Sequence, residues 1–226
     1  MSPPSSDTGR LLAVSIGLPR EVDWQGEKVR TGIFKAPVEA PVEAGPLGLA
    51  GDGQADLRVH GGLDKAIYAF DEASTAYWRE SLGRPDLGPG AFGENLTVAG
   101  FPDDSVHIGD RFRIGEAEFE VSQPRQPCVK LGIRFEDPTL PKRFFESGRV
   151  GYYLRVVEAG RIEAGDEIRR IAAAPEGMDI RTLVAIWLDR EAPRESLERA
   201  VALQTLAEAW RAPLRKRLAR RSTLPS

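Results

Sequence analysis

The sequence predicts a mainly-β protein, a barrel or sandwich, with a small cluster of helices at its C-terminal end. Three observations lead there. Short apolar runs separated by glycine and proline recur from Arg10 to Ile171, at the spacing of an all-β domain. Within them, "HIGDRFRIGEAEFEV" (107–121) alternates apolar and charged residues on both sides of Gly115-Glu116, a hairpin pattern. After Pro175 the period changes to that of short amphipathic helices.

The strands expected in order are "RLLAVSIG", "TGIFKAPV" (ended by proline), "KAIYAF", "ENLTVAG", "SVHIGDRFRIG", "AEFEVSQP", "YYLRVVEAG" and "RIEAGDEIRRI". One helix interrupts them, "DEASTAYWRESLG", with Asp71 as its cap and Ala73, Tyr77 and Trp78 on one face. "LPKRFFESG" reads as a second short helix stopped at Gly148. Beyond Pro175, "DIRTLVAIWLDR" has an apolar face of Leu183, Ile186 and Trp187, and "APRESLERAVAL" sets Leu197 and Val201 four apart behind a proline. "LAEAWRAPLRKRLARR" repeats Leu206, Trp210, Leu214 and Leu218 every four residues, with Pro213 expected to kink or split it. The expected organisation is a disordered segment 1–9, a β domain 10–174 and a separable three-helix domain 178–226.

Composition narrows the function. With 226 residues the chain can bury a full core without staples. A single cysteine cannot form an internal disulfide, which fits a reducing, cytoplasmic setting. The start "MSPPSSDTGR" lacks the pattern of a secretory leader, and no apolar run is long enough to span a bilayer. A net charge of −3 gives no overall pull toward nucleic acid or anionic membrane. The basic run 215–221 has no interleaved aromatics and reads as a solvated helix face. Two histidines and one cysteine cannot build a Cys/His zinc cage.

Four stretches are too polar and too glycine-rich for a core. "GLAGDGQADLRVHGGLDKAIYAF" (48–70) gathers Asp52, Asp56, Arg58, His60, Asp64 and Lys65 around four glycines, which let backbone amides approach an anion closely. It is neither a P-loop nor a dinucleotide fingerprint. A lone histidine is more often structural, but His60 is flanked by Gly-Gly and by Asp64 and Lys65. "GAFGENLTV" offers Glu94 and Asn95 at a strand start, where an Asx turn is the simpler explanation. In "TGIFKAPV", Lys35 is either a solvated lysine or an anion partner. "VSQPRQPCVKL" holds Cys128 between prolines and beside Arg125 and Lys130, and neighbouring cations stabilise a thiolate. A buried inert thiol is the common alternative, but the polar residues around Cys128 argue against it.

Taken together, "LGLAGDGQAD", "VHGGLDKAIYAF", "FGENLTV", "VHIGDRFRIGEAEFEVSQPRQPCVKL" and "GYYLRVVEAG", in that order, resemble the MOSC domain (molybdenum cofactor sulfurase C-terminal domain), and most closely its YiiM-type stand-alone branch with a C-terminal three-helix appendage. The resemblance covers about residues 10–172 and, with the appendage, nearly the whole chain. It implies a mostly antiparallel β-barrel similar to that of pyruvate kinase. It implies molybdenum cofactor, with Cys128 as the protein ligand to the metal. Lys35, Asp56, His60, Asp64, Lys65, Asn95 and Arg125 would line the cofactor site, and Cys128, His60 and Glu94 would be the catalytic groups, with His60 or Glu94 as proton donor. The implied activity is reduction of N-hydroxylated nucleobases and related N-hydroxylamines to amines. No flavin, haem or iron–sulfur motif is present, so electrons are expected from an external flavoprotein reductase. Self-association into a homodimer is left open. Two other readings are a sulfur carrier with a persulfide on Cys128 and a module that only binds or stores the cofactor.

Overall fold

The computed structural model describes residues 7–55, 61–174 and 176–222. Thirteen strands and six α-helices are formed among them: β1 (Thr8–Ile16), β2 (Arg20–Trp24), β3 (Glu27–Thr31), β4 (Ala36–Val38), β5 (Val42–Gly45), β6 (Gly48–Leu49), β7 (Ile67–Asp71), α1 (Glu72–Leu82), β8 (Leu96–Ala99), β9 (Arg111–Ile114), β10 (Ala117–Pro124), α2 (Val129–Phe135), α3 (Leu140–Glu146), β11 (Tyr152–Glu158), β12 (Gly160–Ile162), β13 (Glu167–Ala172), α4 (Ile180–Leu188), α5 (Arg194–Ala202) and α6 (Glu208–Ser222). Seven strands close a barrel in the order β1-β8-β7-β11-β10-β9-β13, with β13 returning to β1. Every pairing is antiparallel except β7 with β8. Closure removes exposed strand edges. It also points one alternating face of each strand inward, and Leu11, Phe70, Leu96, Phe112, Phe119 and Leu154 are all buried.

The hairpin expected at Gly115-Glu116 forms in the register its alternation requires, with Ile114 opposite Ala117 and Phe112 opposite Phe119. A second hairpin, β2–β3, turns at Gln25 and Gly26, both at positive φ (52° and 84°), the geometry that matches the twist of paired strands. The strand expected across "TGIFKAPV" does not form. Thr31 ends β3 opposite Arg20, Gly32 to Lys35 are irregular, and Ala36–Val38 pair with the end of β1. Within the segment 1–9 expected to be disordered, the Asp7 carbonyl accepts the Arg170 N–H and Thr8 and Gly9 pair with Arg169 and Ile168, while residues 1–6 lie outside the described residues.

Asp71 caps α1 by accepting the Ala73 N–H at 2.8 Å, and Gly83 ends it in the left-handed conformation. The buried face of α1 is Ser74, Thr75 and Trp78, while Ala73 and Tyr77 are exposed. The expectation followed apolar residue type; the barrel wall instead takes the small hydroxyl residues beside the indole. Pro213 does not split α6, which runs unbroken from Glu208 to Ser222.

Buried side chains of the C-terminal helices pack against those of the barrel. Leu183, Leu197, Leu206, Trp210 and Leu214 belong to the same contiguous cluster of buried side chains as the barrel residues. The Ala207 N–H donates to the Ser122 carbonyl of β10 at 3.0 Å, and Arg155 of β11 donates to the Thr205 carbonyl at 2.8 Å. The basic run of α6 is only partly a solvated face. Arg217 donates to the carbonyls of Ile186, Trp187 and Asp189, and Arg221 to that of Arg190, fastening α6 to the end of α4. Guanidinium groups suit the unpaired carbonyls at a helix C-terminus.

Candidate functional site

An open pocket lies at one end of the barrel, with about 660 Å³ of empty space including the solvent at its mouth. Its lining comes from the stretch 31–35, the loop 52–55 with Gly61 and Lys65, Tyr68 of β7, Gly93 and Asn95 just before β8, the turn between β10 and α2, and Tyr153 of β11. Lys35, Lys65, Asn95, Arg125 and Cys128, all expected at the site, line it together. His60 and Asp56 lie outside the described residues, although Gly61, the neighbour of His60 in the chain, lines the pocket.

Cys128 owes its position to the end of β10. Pro124 is the last residue paired there, opposite Tyr152, and four residues later Cys128 precedes the first turn of α2, where its carbonyl accepts the Leu131 N–H at 2.9 Å. The thiol is half-buried and close enough to Lys65 and Arg125 for their charges to interact. Burial lowers the pKa of Lys65, with Asp64 and Cys128 opposing.

Arg125 is buried at 6 % exposure. Its Nη1 donates to the Phe92 carbonyl at 2.8 Å and to the Tyr68 hydroxyl at 3.1 Å, and its guanidinium lies 4.6 Å from the Tyr68 ring centre. Burial weighs against its charge, but Tyr68, Tyr153 and Cys128 more than offset this, so it remains a cation. No carboxylate pairs with it among the described residues.

Lys35 forms a buried ion pair with Asp52, whose Oδ1 also accepts the Gly17 N–H at 2.9 Å and whose Oδ2 accepts Asn95 Nδ2 at 2.9 Å. Burial lowers the pKa of Lys35, and Asp52 opposes that. Asn95 also accepts the Tyr68 N–H at 3.2 Å and donates to the Ser15 carbonyl at 3.2 Å, so its amide ties β1, β7 and β8 into the pocket wall.

Two expected site residues are engaged elsewhere and do not line the pocket. Glu94 is fully buried and accepts the N–H groups of Gly90 (2.6 Å) and Phe92 (3.0 Å) and the Thr97 hydroxyl (3.2 Å). It holds the 90–94 loop, and burial raises its pKa against those bonds. Both carboxylate oxygens are thus engaged by the 90–97 segment, next to the lining residues Gly93 and Asn95. Asp64 accepts Arg155 Nε at 2.6 Å and is not among the residues that line the pocket. Sequence reasoning assigned no role to Tyr68, Tyr153, Gln54 or Gln126, which also line the pocket. Tyr68 and Tyr153 sit in strands and read as core; a phenol beside a buried arginine is visible only once β7, β10 and β11 are adjacent.

Among the described residues no three His, Cys, Asp or Glu side chains gather as metal ligands. No described helix is long and apolar enough to cross a membrane.

The MOSC domain family model matches residues 56–169. The chain is 38 % identical to "Uncharacterized protein YflK" of Bacillus subtilis (strain 168) over 92 % of its own length and 93 % of the relative. It is 34 % identical to a protein named "Reductase" from Gibberella moniliformis, over 93 % of this chain and 36 % of that longer protein. The crystal structure of YiiM from Geobacillus stearothermophilus superposes with a TM-score of 0.78 at 33 % identity, covering 93 % of this chain and 99 % of the other. With a closed barrel of the expected topology, a thiol in its pocket and these matches, the chain belongs to the MOSC domain family.

Proposed function

We propose that the protein reduces N-hydroxylated nucleobases and related N-hydroxylamines to amines, using molybdenum cofactor held at Cys128 and electrons from a separate reductase. The observation that carries this reading is one pocket joining the chain's single thiol to Lys35, Lys65, Arg125 and Lys130. A thiolate is the soft donor such a metal accepts from a protein. Four cations against the single carboxylate of Asp52 in the described lining suit an anionic, phosphate-bearing ligand. The relative named "Reductase" adds support for redox chemistry in the family.

When bound, the cofactor supplies the two-electron chemistry that removes oxygen from an N-hydroxyl group. The chain's residues hold and orient. Cys128 fixes the metal end, Arg125 offers a preorganised cation backed by Tyr68, and the Asp52–Asn95 network keeps Lys35 in the wall. The proton for the departing oxygen comes from His60, since Glu94 is committed to backbone amides.

The test uses molybdenum-loaded protein and 6-N-hydroxylaminopurine. Reduced viologen dye should drive formation of adenine, NADPH alone should give almost none, and adding a flavoprotein reductase should restore NADPH-driven turnover. Brisk turnover with NADPH and the isolated chain would contradict the need for a separate donor. Full metal loading without activity from any donor would favour a persulfide carrier or a storage module.

A further inference from the structure

A second cavity opens beside the Cys128 pocket, with about 710 Å³ of empty space including the solvent at its mouth. Three segments run from one lining to the other. Lys35 lines the first and Pro37 the second, Gly93 the first and Ala91 the second, Lys130 the first and Arg134 the second. Lys130 and Arg134 stand four apart in α2, so they share a helix face and lie about 6 Å apart along it. The other two pairs are two residues apart and can be separated by no more than about 7 Å. The two cavities are therefore side by side, with room for one ribose between them.

The charges in the second cavity suit an anion. Arg84 and Arg134 line it, against the single carboxylate of Asp86. Arg134 forms no ion pair among the described residues; its guanidinium lies 5.0 Å from the centre of the Phe34 ring, and that of Arg20 lies 3.9 Å from the same centre. Burial lowers the pKa of Arg134, and the charges of Arg20 and Arg84 add to this. Like charges held close repel one another, and an anion between them relieves that. Three carboxylates oppose this. Both oxygens of Asp86 accept from Arg84 at 2.7 Å, Glu136 acts on Arg84 through its charge, and Glu94 acts on Arg134 in the same way. The Arg84–Asp86 pair is solvent-exposed and a weak restraint, and Glu94 is engaged by the 90–97 segment. Gly88, also in the lining, leaves open space, since a Cβ there would meet nothing within 4 Å.

We propose that this cavity is the phosphate subsite of a nucleotide substrate: the N-hydroxylated base enters the Cys128 pocket and its 5′-phosphate lies between Arg84 and Arg134. The inference rests on the reductase reading and narrows its substrate class from free bases to nucleoside monophosphates. A phosphate takes paired guanidinium donors, which a free base or a nucleoside cannot use. Lys35, Lys65, Arg125 and Lys130 remain in the first pocket for the anionic cofactor. The phosphate stays outside the reaction, so its binding holds and orients the base.

The test reads binding apart from turnover. Adenosine 5′-monophosphate, adenosine and inorganic phosphate are titrated by calorimetry into the full-length, molybdenum-loaded protein. The monophosphate should bind at least ~10-fold more tightly than either of the others. Arg134→Gln should cut that preference to below ~2-fold, and Arg134→Lys should keep part of it. Arg84→Gln, at an exposed position, should reduce it by ~3- to 10-fold. Circular dichroism and molybdenum content check that each variant is folded and loaded. In viologen-driven turnover, the 5′-monophosphate of 6-N-hydroxylaminopurine riboside should have a higher kcat/KM than the free base, and Arg134→Gln should lower that advantage ~10- to 100-fold. Equal binding of the monophosphate and adenosine, or a full preference kept by both Gln variants, overturns the inference. Inorganic phosphate binding as tightly as the monophosphate would show an anion site unconnected to the base pocket, and would also overturn it. A preference seen in calorimetry without turnover of either substrate overturns the reductase reading instead and leaves the subsite standing.

Discussion

Asp103 and Arg125 make no contact, yet one positions the other. Asp103 Oδ1 accepts the N–H groups of Val150 at 3.0 Å and Gly151 at 2.6 Å, and the Gly151 carbonyl accepts the Arg125 N–H at 3.1 Å. The Val150 carbonyl accepts the Tyr68 hydroxyl at 2.8 Å, and that hydroxyl accepts Arg125 Nη1. Gly151 is required at this crossing. Its φ is +68°, and a Cβ there would stand 2.4 Å from the Ala69 carbonyl.

This buried carboxyl gives stability a pH dependence. Burial raises Asp103 to about 6, against the opposing hydrogen bonds from Gly151, Val150 and Ser74. A folded pKa above the unfolded one means that the folded state binds the proton more tightly. The stabilisation is complete below the unfolded pKa near 3.8 and is lost as pH rises through about 6. The loss should be on the order of 3 kcal/mol. Asp103→Asn keeps an oxygen for the two N–H groups, so it should flatten the stability profile between about pH 4 and 7 in denaturant titrations. An unchanged slope would remove Asp103 as its source.

Removing the partner of Lys35 should be costly. Asp52→Ala leaves a buried ammonium unpaired and frees the Gly17 N–H and the Asn95 amide. The expected loss is about 3–5 kcal/mol in denaturant unfolding. A loss below ~1 kcal/mol would mean that Lys35 finds solvent and that the pair does not hold the pocket wall.

The strands most legible in the sequence are those whose alternation meets a buried face, such as Phe112/Ile114 against Phe119/Ala117. The stretch "TGIFKAPV" misled because Ile33 and Phe34 are apolar for local reasons. Ile33 fills space beside Gly93, and Phe34 lies between Arg20 and Arg134. At the site, Cys128, Arg125 and Lys65 were readable because their residue types are unusual in their settings. Asp64 and Glu94 have equally suggestive types, but Arg155 and the backbone of the 90–94 loop claim them, and no local pattern announces such partners.

The shared core changes what truncation should do. A chain ending at Ala174 would uncover β10, where Ser122 receives the Ala207 N–H, and would leave Arg155 without the Thr205 carbonyl. It should lose cooperative thermal unfolding or aggregate. A truncated barrel with the full-length Tm would show that the helices are separable after all.

His60 remains the proposed proton donor. His60→Ala should slow viologen-driven turnover by roughly 10²–10⁴-fold at unchanged metal content. A loss of less than about tenfold would assign the proton to water.

The account stands or falls on Cys128 as the metal ligand. Molybdenum is to be measured per chain in wild-type and Cys128→Ser protein purified from a cofactor-producing host, with circular dichroism confirming that both are folded. Stoichiometric molybdenum is expected in the wild type, with little in the variant and no reductase turnover by the variant. Equal molybdenum and normal turnover in Cys128→Ser would contradict it.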